Sequence, residues 1–259
     1  MRYLLLMLSV TFCSLSFSQN TAVSMNETLK FTAAYNMSGI MTDLAEVTME
    51  TSPVKTSKAT LLRLKCTATT YSKWDNFFKI RDLYESYVSP KSLTPFLYKR
   101  DINEGGYYKF MQYTFSHKTN TVKSLKKKRR GNGTIWEENK NITIGSSTND
   151  IVTTIYKMRN LNLAQATKGK KFPLTVIFDN EEYKISVVYL GTETISTGIG
   201  SKSCYKLGIS VNNSSVLKGS NDNLLWLTAD ANKIPVYAKF KIAVGNGELK
   251  IKSASGLKN

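Results

Sequence analysis

The chain has 259 residues, of which 41% are hydrophobic and 11% aromatic, and its 36 basic residues outnumber 19 acidic ones to give a formal net charge of +17. This composition excludes an intrinsically disordered chain, because such chains lack the apolar residues that form a core. A protein this basic is expected to meet polyanions, although the same charge could simply keep it soluble.

Residues 1–18 have the layout of a cleavable secretory signal peptide. Arg2 supplies a positive charge, an apolar segment runs to Phe12, and small residues lead to an expected cleavage site after Ser18. The alternative is an uncleaved anchor, but the apolar segment is shorter than the ~20 residues that a membrane-spanning helix needs. Phe12 also stands where a lipid-attachment signal requires a small residue before Cys13. We therefore expect an unanchored periplasmic or secreted protein.

Removal of this segment leaves residues 19–259 with a net charge of +16, which we expect to form a single domain. Export removes nucleic acid as the natural partner and leaves anionic lipid, lipopolysaccharide or acidic glycan as candidates. Two cysteines remain in a compartment that permits disulfides. Strand alternation places Cys66 on an apolar face and Cys204 on the face shared with Lys202 and Lys206, so a bridge between them is not favoured.

Apolar and polar residues alternate along much of the chain, which is typical of β-strands. The clearest alternating runs begin at Phe31, Ala45, Phe172, Tyr183 and Ile234, and Asn/Asp/Gly clusters that favour turns separate them. Strands at this spacing predict an all-β protein, an antiparallel meander that forms either a barrel or a strongly curved sandwich.

Two segments interrupt the alternation. Residues 149–161 are predicted to form the one short helix, with Asn149 or Asp150 as its N-cap and Lys157 and Arg159 near its C-terminal end. Residues 74–81 could form either a short helix or an aromatic-rich connection.

Several segments, taken in order, resemble the exported bacterial domain of unknown function family 3108. The segments are DLYESYV from residue 82, SLTP from residue 92, DIVTTIYKMR from residue 150, CYKL from residue 204, LWLTAD from residue 225 and KIPV from residue 233. The family-like structural positions within them are Asp82, Tyr87, Tyr156, Arg159, Trp226, Asp230 and Pro235. The resemblance extends over roughly residues 30–252 and implies an all-β exported protein, with no defined activity and no catalytic residues to transfer.

The strongest charge feature is a run of basic residues before a Gly-Asn-Gly turn. Its members are Lys126, Lys127, Lys128, Arg129 and Arg130. They could form a binding site for a phosphate or sulfate group, or simply a solvated hairpin tip.

Catalytic chemistry has little support in the sequence. His117 is the only histidine and is expected to be an exposed turn residue, so no histidine-based triad or zinc site is indicated. A carboxylate-dependent glycan hydrolase would need only two acids. The candidate acids are Asp82, Glu85, Glu181, Glu182, Asp222 and Asp230.

Asp230 is the most distinctive of these acids, and we expect it to cap a turn by accepting backbone N–H bonds. Arg159 is expected to pair with Asp230 or Asp82 and to fix the helix on the sheet. The aromatic residues Tyr107-Tyr108, Phe77-Phe78 and Trp226 are expected to pack in the core rather than form a sugar platform.

A barrel of this size could enclose one apolar ligand. We therefore expect a non-catalytic protein, with no cofactor, that binds an anionic or lipidic component of the cell envelope. The alternatives are a structural or protein-interaction module and a glycan hydrolase.

Overall fold

The computed structural model describes residues 19–37, 39–211, 223–242 and 245–259; the predicted signal peptide lies outside these residues. They form fifteen strands and one α-helix. The strands are β1 (Thr28–Met37), β2 (Ile40–Lys55), β3 (Thr60–Thr70), β4 (Arg81–Val88), β5 (Pro95–Glu104), β6 (Tyr107–Ser116), β7 (Thr121–Arg129), β8 (Ile135–Thr143), β9 (Thr148–Asn149), β10 (Lys171–Phe178), β11 (Glu181–Thr197), β12 (Gly200–Val211), β13 (Leu224–Thr228), β14 (Pro235–Ile242) and β15 (Gly245–Ser255).

All fifteen strands belong to one sheet, in the order β8 to β1, then β15 to β9. Neighbouring strands are antiparallel except for the short parallel pair of β9 and β10. The first strand pairs with the last, so the two halves of the meander join at β1 and β15. Within the described residues β8 and β9 share no ladder, so the sheet curls without closing through backbone hydrogen bonds. The predicted all-β antiparallel meander is confirmed.

Helix α1 spans Ile151–Met158 and packs against β3, β4 and β10. Its N-cap is Asp150, which has an extended backbone and whose side-chain Oδ1 accepts the Thr153 N–H at 2.8 Å, as the preference for short acceptors at this position leads one to expect. The predicted helix is thus confirmed in a shorter form, because Asn149 belongs to β9. No helix in the described part of the chain is long and apolar enough to cross a membrane.

The face of the sheet that packs on α1 and the main core is called the inner face below. Apolar side chains at alternate positions cover it, including Leu29, Phe31, Leu62 and Leu64. A second apolar cluster around Leu207 and its neighbours packs beside the C-terminal end of α1. Burial of these side chains is the main source of stability.

The connection at residues 74–81 is chiefly irregular. A short 3-10 helix covers Ser72–Trp74, and β4 already begins at Arg81. Phe77 and Phe78 are 76% and 45% exposed, so the expectation that they pack in the core is wrong. Their segment lies outside the strands, and the Phe78 ring is covered only in part, by Gly105 in the turn between β5 and β6.

Candidate functional site

An apolar cavity of about 230 Å³ lies between α1 and the sheet. Its lining comes from β1, β2, β3, β12, β13, β14, β15 and α1, and most of it is aliphatic or aromatic. Prominent lining side chains are Met49, Cys66, Ile155, Met158, Leu225 and Leu249. The segments farthest apart in sequence meet here because β1 pairs with β15. The cavity can accept an apolar group.

Cys66 and Cys204 are both free thiols. Cys66 faces the cavity, and burial raises the pKa of its thiol to about 12. Cys204 was expected on a polar face, opposite the apolar face of Cys66, but it is fully buried in the main core against which Cys66 also packs, so this expectation is wrong. Burial raises the pKa of Cys204 to about 11. Both side chains are therefore unreactive neutral thiols near neutral pH.

The rim of the cavity is polar. Leu224, Lys239 and Phe240 line both the cavity and an adjoining depression of about 450 Å³. The side chain of Lys239 is 49% exposed and lies 3.7 Å from a carboxylate oxygen of Glu248. An apolar interior with a charged rim suits a ligand with one apolar and one polar end.

The pleat of β7 divides the basic run between the two faces of the sheet. Lys126 and Lys128 pair in register with the buried Met111 and Lys109, and directly opposed residues share a face, so they lie on the inner face. Lys127 lies on the outer face, where its ammonium is 2.9 Å from Glu137.

The other two residues of the run, Arg129 and Arg130, are also absent from the inner face. Arg129 covers the ring of Tyr108 at 5.5 Å, and Arg130 follows β7 in an exposed turn. The five residues proposed from the sequence as one anion site are therefore not a single patch. The prediction of anion binding can therefore apply only to Lys126 and Lys128, which share the inner face.

The tip of the β10–β11 hairpin docks on the inner face of β5, β6 and β7. Asp179 forms ion pairs with both Arg100 and Lys109. The Asn180 N–H donates to the Tyr113 hydroxyl at 3.0 Å. Both tip residues adopt positive φ angles, 49° and 73°, which Asp and Asn tolerate in tight hairpins. Arg100, Lys109 and Asp179 were missed in the sequence because only register and curvature bring them together.

Arg159 and Glu27 form a completely buried ion pair. Arg159 Nη1 and Nη2 donate to the two Glu27 carboxylate oxygens at 2.5 and 2.7 Å. The same guanidinium donates to the carbonyls of Ala22 and Asn232. The predicted pairing of Arg159 with Asp230 or Asp82 is therefore wrong. Arg159 does fix the helix end, but to the segment before β1.

Asp230 caps a turn, as predicted. Its Oδ1 accepts the N–H groups of Asn232 and Lys233 at 3.0 and 2.9 Å and the Thr228 hydroxyl at 2.7 Å. Trp226, four residues earlier, packs its ring 4.8 Å from Tyr237 and is buried, which agrees with the predicted core position. These contacts are structural.

The other candidate acids also make local contacts. Glu182 accepts the Gly145 N–H, Glu181 accepts the Tyr183 hydroxyl, and Glu85 lies 3.6 Å from Arg63. Asp222 lies outside the described residues.

Asp82 is buried on the inner face and accepts the Asn103 N–H at 2.9 Å. Burial, with Glu104 beside it, raises the pKa of Asp82 to about 7. A glycosidase would hold its two carboxyl groups at least ~5 Å apart around a cleft, whereas Asp82 is buried on the inner face of the sheet.

The remaining family-like positions are dispersed. Tyr156 is fully buried, with its ring 5.6 Å from the Arg159 guanidinium carbon. Pro235 opens β14 and lines the cavity, while Tyr87 is half-buried on the strand that carries Asp82. Pro235 and Cys66 both lie in the lining of the cavity, although the sequence did not assign either residue to a cavity.

His117 is half-buried in the turn after β6, and one ring nitrogen lies 2.6 Å from the Pro95 carbonyl oxygen. Its expected exposure is wrong, because the rings of Phe96 and Phe115 lie about 6 Å from it. Of the expected aromatic core pairs, Tyr107 is 48% exposed and Tyr108 is half-buried beneath Arg129. Over the residues described, no group of three or more His, Cys, Asp or Glu side chains could hold a metal ion.

Comparisons with known proteins identify the fold and the family but no activity. The model of the family described as "Protein of unknown function (DUF3108)" matches residues 30–252. A β-barrel-like protein of the domain of unknown function DUF1849 from Brucella abortus superposes with a TM-score of 0.55 at 7% identity, covering 91% of this chain and 99% of that one.

A second solved structure is more distant. A protein from Bacteroides fragilis NCTC 9343, inferred to be exported and described as having a YmcC-like fold, covers 89% of this chain and 95% of its own at 9% identity and a TM-score of 0.30. No curated protein sequence matches this chain.

Proposed function

The chain belongs to the DUF3108 family, whose description assigns no function, and from the geometry of its own residues we propose that it is a non-catalytic binding protein for an apolar or amphiphilic ligand. The predicted signal peptide at residues 1–18 supports a site of action outside the cytoplasm. The ligand would then be a lipidic component of the cell envelope.

The observation that carries this proposal is the cavity of about 230 Å³ beside Cys66. A cavity of about 150 Å³ holds benzene, so this one has room for an apolar group of about nine carbon atoms. Because the cavity meets the outer depression, its apolar lining is open to water when no ligand is bound. An apolar ligand that displaces this water gains roughly 25 cal/mol per Å² of apolar surface that it buries.

The rim supports an amphiphile over a pure hydrocarbon. Lys239 and Phe240 stand where the cavity meets the outer depression. A polar headgroup at this position would keep contact with water and with Lys239, while the tail fills the cavity. Burying the headgroup itself would be unfavourable, because the interior offers it few hydrogen-bonding partners.

The hydrolase alternative has less support. Asp230 is engaged in a turn and Asp82 accepts a backbone N–H, so each of these carboxylates already has a structural role. A hydrolase would also place its acids around an open cleft, whereas the cavity lining includes no carboxylate among the described residues.

The experiment is to measure the binding of 1-nonanol by calorimetry to the protein and to Cys66→Leu. The larger side chain projects into the cavity and should weaken binding by about tenfold or more, as overpacking of a filled site costs about 1–3 kcal/mol. Thr67→Leu adds similar bulk on the opposite face of β3 and should bind as the unchanged protein does. Absence of binding to the unchanged protein, or equal loss in both variants, would refute the proposal.

A further inference from the structure

We propose that the inner face of β5, β6 and β7 carries a second binding site, which accepts a phosphate-type oxyanion. The site, called the inner cation cluster below, consists of Arg100, Lys109, Lys126 and Lys128. It is separate from the apolar cavity and does not rest on the function proposed for that cavity.

The cluster carries more positive than negative charge. Asp179 is the one carboxylate in the described chain that forms ion pairs with Arg100 and Lys109. Lys126 and Lys128 form no ion pair with any described residue; the ammonium of Lys126 lies 6.0 Å from the centre of the Trp136 ring. Uncompensated charge on a half-buried surface is costly. A bound anion would offset it.

Other charged groups face the cluster but do not neutralise it. Glu138 pairs in register with Lys126, yet its carboxylate lies 2.9 Å from Lys140. Asp82 is buried at the far side of the same face, where burial and the neighbouring Glu104 raise its pKa to about 7.

The buried cationic side chains of the cluster are held in fixed positions, from which they can donate hydrogen bonds to an oxyanion. The side chains of Arg100 and Lys109 are 6% and 9% exposed, so both cations are held by the surrounding core. The buried Nε of Arg100 has no hydrogen-bond partner among the described residues. Lys128 lies directly across from Lys109 on a strand about 4.8 Å away.

Such an arrangement suits a phosphate better than a single carboxylate. Three or four tetrahedral oxygens can each accept a charge-assisted hydrogen bond. Burial and the nearby Arg100 and Lys126 charges lower the pKa of Lys109, although Asp179 acts against this shift. An added anion would relieve the repulsion among the cations.

The cluster and the cavity lie on the same face of the sheet. Tyr84 pairs in register with Cys66 of the cavity and with Arg100 of the cluster, so one strand separates the two sites. The phosphate could therefore arrive free or as the headgroup of an amphiphile. The shared chemistry is the oxyanion, and the test below distinguishes the two sources.

Because basic residues lie on both faces of β7, two matched double variants can be made on this one strand. Lys126→Gln/Lys128→Gln removes two charges from the inner face, and Lys127→Gln/Arg129→Gln removes two charges from the outer face of the same strand. Both doubles change the net charge equally and leave Arg100 and Lys109 in place. Circular dichroism and the thermal midpoint verify that each variant folds.

Calorimetry with inorganic phosphate, nonyl phosphate and uncharged 1-nonanol measures the effect. We expect the inner-face double to weaken binding of a phosphate probe by about tenfold or more per charge-assisted hydrogen bond lost, and the outer-face double to leave it unchanged. Loss confined to nonyl phosphate identifies a headgroup as the source, whereas loss with inorganic phosphate as well identifies the free ion. Equal weakening by both doubles, or no phosphate binding by the unchanged protein, overturns the proposal. Binding of 1-nonanol reports on the cavity alone.

Discussion

The buried Arg159–Glu27 pair offers a sharp test of how the segment before β1 is attached. Replacing Arg159 by Met removes four hydrogen bonds at once, two to Glu27 and two to backbone carbonyls. Glu27 then remains buried without a counter-charge. Breaking a fully buried pair in this way costs about 3–5 kcal/mol.

The loss should be visible in urea unfolding and in the thermal midpoint. In a domain of this size each kcal/mol lowers the midpoint by about 2–4 °C, so we expect a fall of roughly 6–20 °C. Lys252→Gln is the control, because it breaks an exposed pair with Glu46 at 2.9 Å and should cost less than about 1 kcal/mol.

A double variant separates charge from packing. Arg159→Met/Glu27→Leu removes both charges and should be more stable than Arg159→Met alone, because no buried carboxylate is left unpaired. The reasoning is refuted if Arg159→Met costs no more than Lys252→Gln, or if adding Glu27→Leu destabilises the protein further.

Three further predictions concern single carboxylates. Burial raises the pKa of Asp82 from 3.8 to about 7, so the folded protein binds more protons there than the unfolded chain; its contribution is present below pH 4 and is lost as the pH rises to 7. Asp82→Asn should therefore flatten the fall of unfolding free energy over this range in urea titrations, and an unchanged slope would contradict the assignment. Asp150→Ala removes the N-cap bond to the Thr153 N–H together with the bonds from the Ser86 and Thr153 hydroxyls, and should cost at least about 0.5–2 kcal/mol in the same assay, whereas no loss would show that the cap is dispensable. Asp179→Asn removes the carboxylate that competes for Arg100 and should tighten phosphate binding in calorimetry; weaker binding would count against the inner cation cluster.

Much of the fold could be predicted from the sequence because local periodicity determines it. The alternation that begins at Phe31 and at Phe172 corresponds to β1 and β10. The helix could be predicted from its acidic N-cap and from the basic residues Lys157 and Arg159 near its C-terminal end. These signals depend on neighbours within a few residues, which a single sequence contains.

The sites depend on contacts that the sequence does not encode locally. Glu27 lies 132 positions from Arg159, and Asp179 lies 79 positions from Arg100. Neither pairing could be predicted without the register and curvature of the sheet. The separation of the basic run between the two faces of the sheet could have been predicted, since alternation along a strand puts Lys126 and Lys127 on opposite faces.

Crystals soaked with 1-bromoheptane would show whether the cavity binds an apolar group. Its eight heavy atoms fit the space estimated above, and the bromine can be located by its anomalous scattering. We expect a bromine peak inside the cavity, within contact of Met49, Ile155 or Leu225. Bromine found only on the outer surface, or nowhere, would contradict it.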